Sequence, residues 1–168
     1  MPVIHITESI SLKFPAGVRL MRRDDMGKPF FNPDSKMRAY SMKYFYEWST
    51  EPDALVLVVE GKGNVLDGVV VLKFVPGKKN PQSIVVEMLS RNHLQGVHNS
   101  GVGAEMIRIV ENYIAKPLGC PELVIEAVND LADYYSSLGY SRTGHSEYDD
   151  FWGKVVYMKK GMSHEKES

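Results

Sequence analysis

The stretch "HNSGVGAEMIRIVENYI", His98 to Ile114, reads as a loop that turns into a helix on two glycines, Gly101 and Gly103. The spacing predicts a helix from about Gly101 to Lys116, with Met106, Ile107, Val110, Tyr113 and Ile114 on one apolar face. "PLGCP" then stops it, because proline cannot continue a helix and glycine favours its end. A helix start presents unpaired N–H groups and the positive end of its dipole. Glycines there let an anion reach the backbone with no Cβ in the way. Phosphate or pyrophosphate is the natural guest, although tight strand–helix packing explains the same two glycines equally well. "GVGAEM" lacks the third glycine of the dinucleotide fingerprint and the Gly-Lys-Ser/Thr ending of the nucleotide-hydrolysing loop.

Working outward, "SIVVEMLS" (Ser83 to Ser90) precedes this helix as a strand, and "ELVIEAV" (Glu122 to Val128) follows it as another. Strand, helix and strand form a βαβ unit with right-handed parallel connectivity. Gly101 then lies beyond the carboxyl end of the first strand, where open α/β sheets bind ligands. Upstream, "VIHIT" suits a strand, and "GVRLMRR" is ambiguous. A helix from Pro33 carries Met37, Tyr40, Ser41, Tyr44, Phe45 and Trp48 on one stripe, which reads as core rather than ligand site. "ALVLVVE" and "VLDGVVVLKFV" are strands joined by the hairpin signal "GKGN". Downstream, "NDLADYYSSLGY" is a short helix with Asn129 as N-cap and Gly139 as terminator. The strands "YSRTG" and "KVVYMKK" flank the loop "HSEYDDFWG". The expected fold class is α/β: a mixed, mostly antiparallel sheet around a central parallel βαβ unit. One domain is expected over residues 1–160, with 161–168 as a polar tail.

The 168 residues fit one domain with a sizeable core, and 43% apolar with 24% charged is ordinary for a globular chain. Net charge is -1 and the basic pairs Arg22-Arg23 and Lys78-Lys79 are too short for a nucleic-acid patch, so nucleic acid is not expected as a partner. The single Cys120 allows neither an internal disulfide nor a cysteine metal cluster. "MPVIHITESISLKF" has neither a basic start nor a long apolar core, and no apolar run approaches the roughly 20 residues of a membrane span. A cytoplasmic protein without membrane contact is the expectation.

Taken together, the strand Ile84–Ser90, the loop His98-x-x-Gly101-x-Gly103, the strand Glu122–Val128, Asn129, and Tyr135-x-x-x-Gly139-Tyr140 carry a family pattern in order. In these residues the chain resembles the GNAT superfamily of acetyl-CoA-dependent N-acetyltransferases. The resemblance is clearest over residues 55–160. It departs at His98, where the family has arginine or glutamine, in a longer loop "SRNHLQGVHNS", and in the first 50 residues.

The resemblance implies acetyl-CoA as cosubstrate, no metal, and a small-molecule or peptide amine as acceptor, with a homodimer possible for such a domain. It implies a cleft where the two parallel strands splay apart. Backbone groups near Leu89 and Ser90 would pair with the pantetheine chain and polarise the thioester carbonyl. The loop His98, Asn99, Ser100, Gly101, Val102, Gly103 and Ala104 would wrap the pyrophosphate, and Asn129 would meet the pantetheine arm. Tyr135 resembles the family's general acid: a phenol of pKa about 10 can offer a proton to a thiolate whose acid has pKa about 8.5. The alternative for Tyr135 is an aromatic at the core edge with a wet hydroxyl.

For the base, Glu87 is the ionisable group inside the apolar run "IVVEMLS", where desolvation would raise its pKa toward neutrality. The family often uses a glutamate on that strand. Glu126 in "LVIEAV" is a rival by the same argument, and an ordinary ion pair at a sheet face is the alternative for both. His93 and His98 lack a third ligand nearby in sequence and do not read as a metal site. The loop with Glu147, Asp149, Asp150, Phe151 and Trp152 suits a cationic amine through charge and aromatic faces, or is a solvated turn beside a core tryptophan. The leading reading is an N-acetyltransferase working by direct attack of a primary amine on the thioester. The alternative is a non-catalytic acyl-CoA-binding or regulatory module.

Overall fold

The computed structural model describes residues 2–32, 42–94, 96, 99–128 and 131–162. A small hairpin, β1 (Val3–His5) with β2 (Ser11–Lys13), precedes the main sheet. That sheet has seven strands: β3 (Val18–Leu20), β4 (Ala54–Glu60), β5 (Leu66–Val75), β6 (Ser83–Arg91), β7 (Glu122–Ala127), β8 (Ser141–Asp149) and β9 (Gly153–Gly161). Their spatial order is β3-β4-β5-β6-β7-β9-β8, and every neighbouring pair is antiparallel except β6 with β7. The mixed, mostly antiparallel sheet with a parallel βαβ unit at its centre is therefore observed.

The helices are α1 (Met42–Trp48), α2 (Val102–Val110), α3 (Lys116–Leu118) and α4 (Ala132–Ser137), with a 3-10 turn at Arg23–Gly27. β4 and β5 are apolar on both faces because both faces are covered. Leu55, Leu57, Val70 and Leu72 join one core with Met106, Ile107 and Val110 of α2, and with Ile4, Ile6 and Phe14 around the N-terminal hairpin. Val56, Val58, Val69 and Val71 point the other way, into a second core with Met21 and with Met42 and Phe45 of α1. Each such side chain contributes roughly 1.5–3 kcal/mol on burial, so α2 and α1 are held on opposite faces by periodicity alone. A buried ion cluster closes the N-terminal segment: Arg19 grips Asp25 with two bonds of 2.8 Å, and Lys28 adds a third at 2.8 Å.

Two sequence expectations need correction, and a third falls partly outside the described residues. The helix after Gly103 does stop within "PLGCP", but at Gly119 rather than at the proline: it widens into a π turn, Glu111–Ala115, and continues through Pro117 as α3. Gly119, at φ 69, then ends it, and the Cys120 N–H bonds to the Ala115 carbonyl at 2.9 Å. Proline is tolerated because it falls in the last turn, directly after the widened stretch. The segment "HSEYDD" is not a loop: β8 runs through it to Asp149 and turns tightly over Asp150, Phe151 and Trp152 into β9. The helix expected from Pro33 is seen from Met42, while Met37, Tyr40 and Ser41 lie outside the described residues.

Glu111, buried in the π turn, accepts a 2.8 Å bond from the Tyr140 hydroxyl and bonds from Lys160 Nζ at 3.2 and 3.3 Å. Lys160 also donates to the Leu138 carbonyl at 3.2 Å, so the cluster ties α2, the end of α4 and β9 together. Among the described residues no helix is long and apolar enough to cross a membrane.

Candidate active site

The parallel pairing of β6 with β7 covers only Ile84–Leu123, Val85–Val124 and Val86–Ile125. Beyond it, β6 stays on β5 as far as Arg91 and β7 stays on β9 as far as Ala127. The two strands therefore part after Val86. Along β6 the register on β5 jumps from Met88 opposite Val71 to Val86 opposite Leu72, which leaves Glu87 as the extra residue of a β-bulge. A bulge bends its strand and re-aims the side chain it carries. Backbone groups alternate direction along an extended strand, so part of the segment from Glu87 to Arg91 faces the gap with no strand opposite.

At this gap lies a cavity of about 380 Å³. Glu87 and Leu89 of β6 and Glu126 of β7 line it, together with Tyr135 of α4. Tyr44 and Trp48 of α1 and Tyr157 of β9 supply aromatic walls, and Glu147, Asp149 and Trp152 close the far end. Strand register explains the convergence. Glu126 is opposite Tyr157, Val155 is opposite Glu147, and Gly153 is opposite Asp149, at two-residue steps along β9. All therefore point to one face of the sheet. Tyr135, by contrast, belongs to the core on the α2 face. The parting of β6 and β7 lets one cavity touch groups from both faces.

The electrostatics are uneven. Burial, and then the Glu87 carboxyl beside it, push the Glu126 carboxyl up to about 8, with the Tyr157 hydroxyl pulling the other way. Burial also pushes the Tyr135 phenol up to about 12, so it holds its proton at neutral pH. Tyr135 is 6% exposed and its hydroxyl has no hydrogen-bond partner among the described residues. Glu147 accepts from the Tyr157 hydroxyl at 3.0 Å and lies 3.1 Å from His145 Nε2, and these contacts lower its pKa. Asp149 Oδ1 accepts the N–H groups of Phe151 and Trp152, both at 2.8 Å, which fixes the turn.

The glycine loop stands next to this cavity. Gly101 is left-handed, at φ 82, and a Cβ there would meet nothing within 4 Å. A Cβ on Gly103 would meet only the Tyr134 hydroxyl at 3.5 Å and Leu89 at 3.9 Å. Tight internal packing thus does not demand glycine at either position; at Gly101 the backbone angle does. The Val102 N–H bonds to Asn99 and the Glu105 N–H to Gly101, while those of Gly103 and Ala104 have no partner among the described residues. Asn99 is occupied structurally: its side-chain amide donates to the carbonyls of Asp67 and Asn92 at 2.9 and 2.7 Å. Ser90 is buried and its hydroxyl accepts from Asn32 at 2.9 Å. Ser100 is at the exposed side of the turn. His98 and Asn129 lie outside the described residues.

Sequence reasoning missed Tyr157, Tyr44 and Trp48 as cavity residues. Tyr157 carried a signal, since it sits between apolar neighbours in "KVVYMKK" as Glu126 does in "LVIEAV". His93 is tied to the loop instead, its N–H bonded to the Phe31 carbonyl at 2.7 Å. Among the described residues no group of three potential ligands could hold a metal.

No protein-family model and no curated protein sequence matches the chain. Solved structures do. An aminoglycoside 6'-N-acetyltransferase complexed with coenzyme A is similar at 12% identity and TM-score 0.61, over 87% of this chain and 97% of that one. A GNAT family acetyltransferase from Elizabethkingia anophelis with acetyl-CoA bound is similar at 15% identity and TM-score 0.56, over 86% and 96%. The chain has the GNAT fold. The ribosomal-protein-S18-alanine N-acetyltransferase from Escherichia coli shares this GNAT fold at 13% identity and TM-score 0.60, over 90% of this chain and 96% of that one. These likenesses concern the backbone, and a shared GNAT fold carries different functions in different chains.

Proposed function

We propose that this protein is an N-acetyltransferase that moves an acetyl group from acetyl-CoA to a primary amine. The observation that carries the reading is the cavity at the parting of β6 and β7, where a buried, unpartnered tyrosine on one side meets a pair of carboxyls on the other. The residues present fit the cosubstrate. The free amides of Gly103 and Ala104 at the start of α2 suit a pyrophosphate, and no Cβ covers Gly101 or Gly103. Leu89 and the unpaired edge of β6 continue from there toward the cavity and suit a pantetheine chain. When bound, acetyl-CoA supplies an activated acetyl thioester that a neutral amine can attack.

The chain's own groups then divide the work. The Glu87–Glu126 pair draws in the ammonium form of the acceptor, and Glu126 takes its proton. Glu87, re-aimed by the bulge, sets the proton affinity of Glu126. Unpaired N–H groups of β6 near Leu89 and Ser90 stabilise the charge that develops on the carbonyl oxygen, held in place without reorganisation. Tyr135 gives its proton to the departing sulfur. Solved structures with this fold include acetyltransferases described with coenzyme A or acetyl-CoA bound, which supports the cosubstrate.

The test is free-thiol release from acetyl-CoA with a panel of primary amines, for the wild-type chain and Tyr135→Phe. Turnover with at least one amine, reduced by the substitution, is expected. Acetyl-CoA binding without turnover on any amine, and no effect of Tyr135→Phe, would establish a non-catalytic acyl-CoA-binding module instead.

A further inference from the structure

Four carboxyls reach one cavity from three strands: Glu87 on β6, Glu126 on β7, and Glu147 and Asp149 on β8. Among the described residues no lysine, arginine or histidine lines it, and the nearest such group to the β8 pair is His145, 3.1 Å from Glu147 and outside the lining. One carboxylate suffices to receive one ammonium, and two suffice to receive it and take its proton. The pair on β8 is surplus to that chemistry. It stands at the exposed mouth, where Glu147 is paired with His145 and accepts from Tyr157, and Asp149 holds its turn through Oδ1. Both carboxylates are therefore within reach of an entering cation. That the cavity receives a ligand has separate support in Tyr135, which lines it at 6% exposure with its hydroxyl unpartnered among the described residues.

We propose that the acceptor is a small amine carrying at least two positive charges: one ammonium reacts beside Glu126, and a second is held by Glu147 and Asp149 against Trp152. This rests on the reading of the cavity as an acceptor site and names its substrate class. Register gives the span. Glu126 and Glu147 are two strands and two residues apart, about 12 Å between Cα atoms, and Asp149 is about 16 Å away at ordinary strand spacing and rise. Side chains reaching toward each other shorten these distances to the length of a linear diamine or triamine. Trp152, bonded to Asp149 at the far end, and Trp48 of α1 line the same cavity with aromatic faces, as ammonium groups and methylene chains favour. Asp149 is preset for the role, since Oδ1 is committed to the turn while Oδ2 has no partner among the described residues.

The experiment compares putrescine, cadaverine and spermidine with n-butylamine, by thiol release and by calorimetric binding to the coenzyme A-loaded protein. It is repeated on Asp149→Asn, which keeps the turn's acceptor but removes the charge, and on Asp149→Asn with Glu147→Gln. At least a 10-fold preference in kcat/KM for a diamine or triamine over n-butylamine is expected, shrinking toward one in the double variant and with added salt. n-Butylamine reacting as efficiently as every polyamine, or a preference untouched by both variants, overturns the proposal and leaves acetyl transfer standing. Charge-dependent putrescine binding without turnover of any amine would sink acetyl transfer and uphold the dication site. Neither binding nor turnover of any of these amines would sink both.

Discussion

Glu126 and Glu87 sit side by side where β7 and β6 part, and their difference in surroundings sets their roles. Glu126 has a proton affinity raised from the ordinary 4.5 to about 8 by burial and by Glu87. The folded chain therefore holds a proton there that the unfolded chain releases, and this contribution to stability is lost as pH rises from about 4.5 through about 8. Urea unfolding at pH 5 and pH 9 should show a smaller loss in Glu126→Gln than in wild type. Activity runs in the opposite sense, since the base must be free: kcat should rise through the region near pH 8. Glu126→Gln should abolish that limb, and Glu87→Gln should move it to lower pH by removing the neighbour that raises it. Tyr135→Phe should cut kcat by about 10²- to 10⁴-fold. Because its hydroxyl has no partner among the described residues, folding stability should change by less than about 0.5 kcal/mol in the same variant. Steady-state rates and urea midpoints on one preparation check both.

α2 is held at its two ends by different means. At its start, the open space around Gly103 separates fold from ligand. Gly103→Ala should leave the urea midpoint unchanged or slightly higher, since the position has no left-handed strain. Its added methyl should weaken coenzyme A binding about 10-fold, or about 1.4 kcal/mol, as calorimetry would read. At its far end, Glu111 gathers Tyr140 and Lys160. Glu111→Ala strands both partners and should cost about 2–3 kcal/mol, below the figure for a fully buried pair because a third of Lys160 is exposed. Tyr140→Phe, which removes one hydrogen bond, should cost about 1 kcal/mol. The unit β6–α2–β7 was legible from period and from the glycine pair, because each strand is short, apolar and bounded, and α2 has a clean buried face. β8 was not legible beyond Gly144: it is exposed along its whole length, so no alternation marks it as a strand. Nor was the divided role of α1, where Phe45 enters the core while Tyr44 and Trp48, on the same stripe, overhang the cavity. Periodicity reports which residues share a helix face and is silent on where the neighbouring sheet opens. The bulge at Glu87 depends on pairing with β5 and leaves no mark within β6 itself.

At the scale of the molecule, the sheet separates two cores and opens where β6 and β7 part. Cosubstrate and acceptor approach that opening from different sides in the proposed function, so both must be present before chemistry occurs. Initial rates should give intersecting double-reciprocal lines, the sign of a ternary complex, rather than parallel ones. The chain's single cysteine agrees with direct transfer, since Cys120 is fully buried, away from the cavity lining, with its thiol pushed up by burial. Cys120→Ala should lose about 1–2 kcal/mol of stability and keep its turnover. A persistent acetyl-enzyme, seen by intact mass after incubation with acetyl-CoA alone, would contradict this.

The hairpin of β8 and β9 supplies one wall of the cavity from an edge strand whose side chains are exposed along its length. A side chain can be exchanged on such a strand with little disturbance to packing elsewhere. Selection or deliberate redesign can therefore retune which molecule enters, one position at a time, while the machinery at the sheet's centre is left as it is.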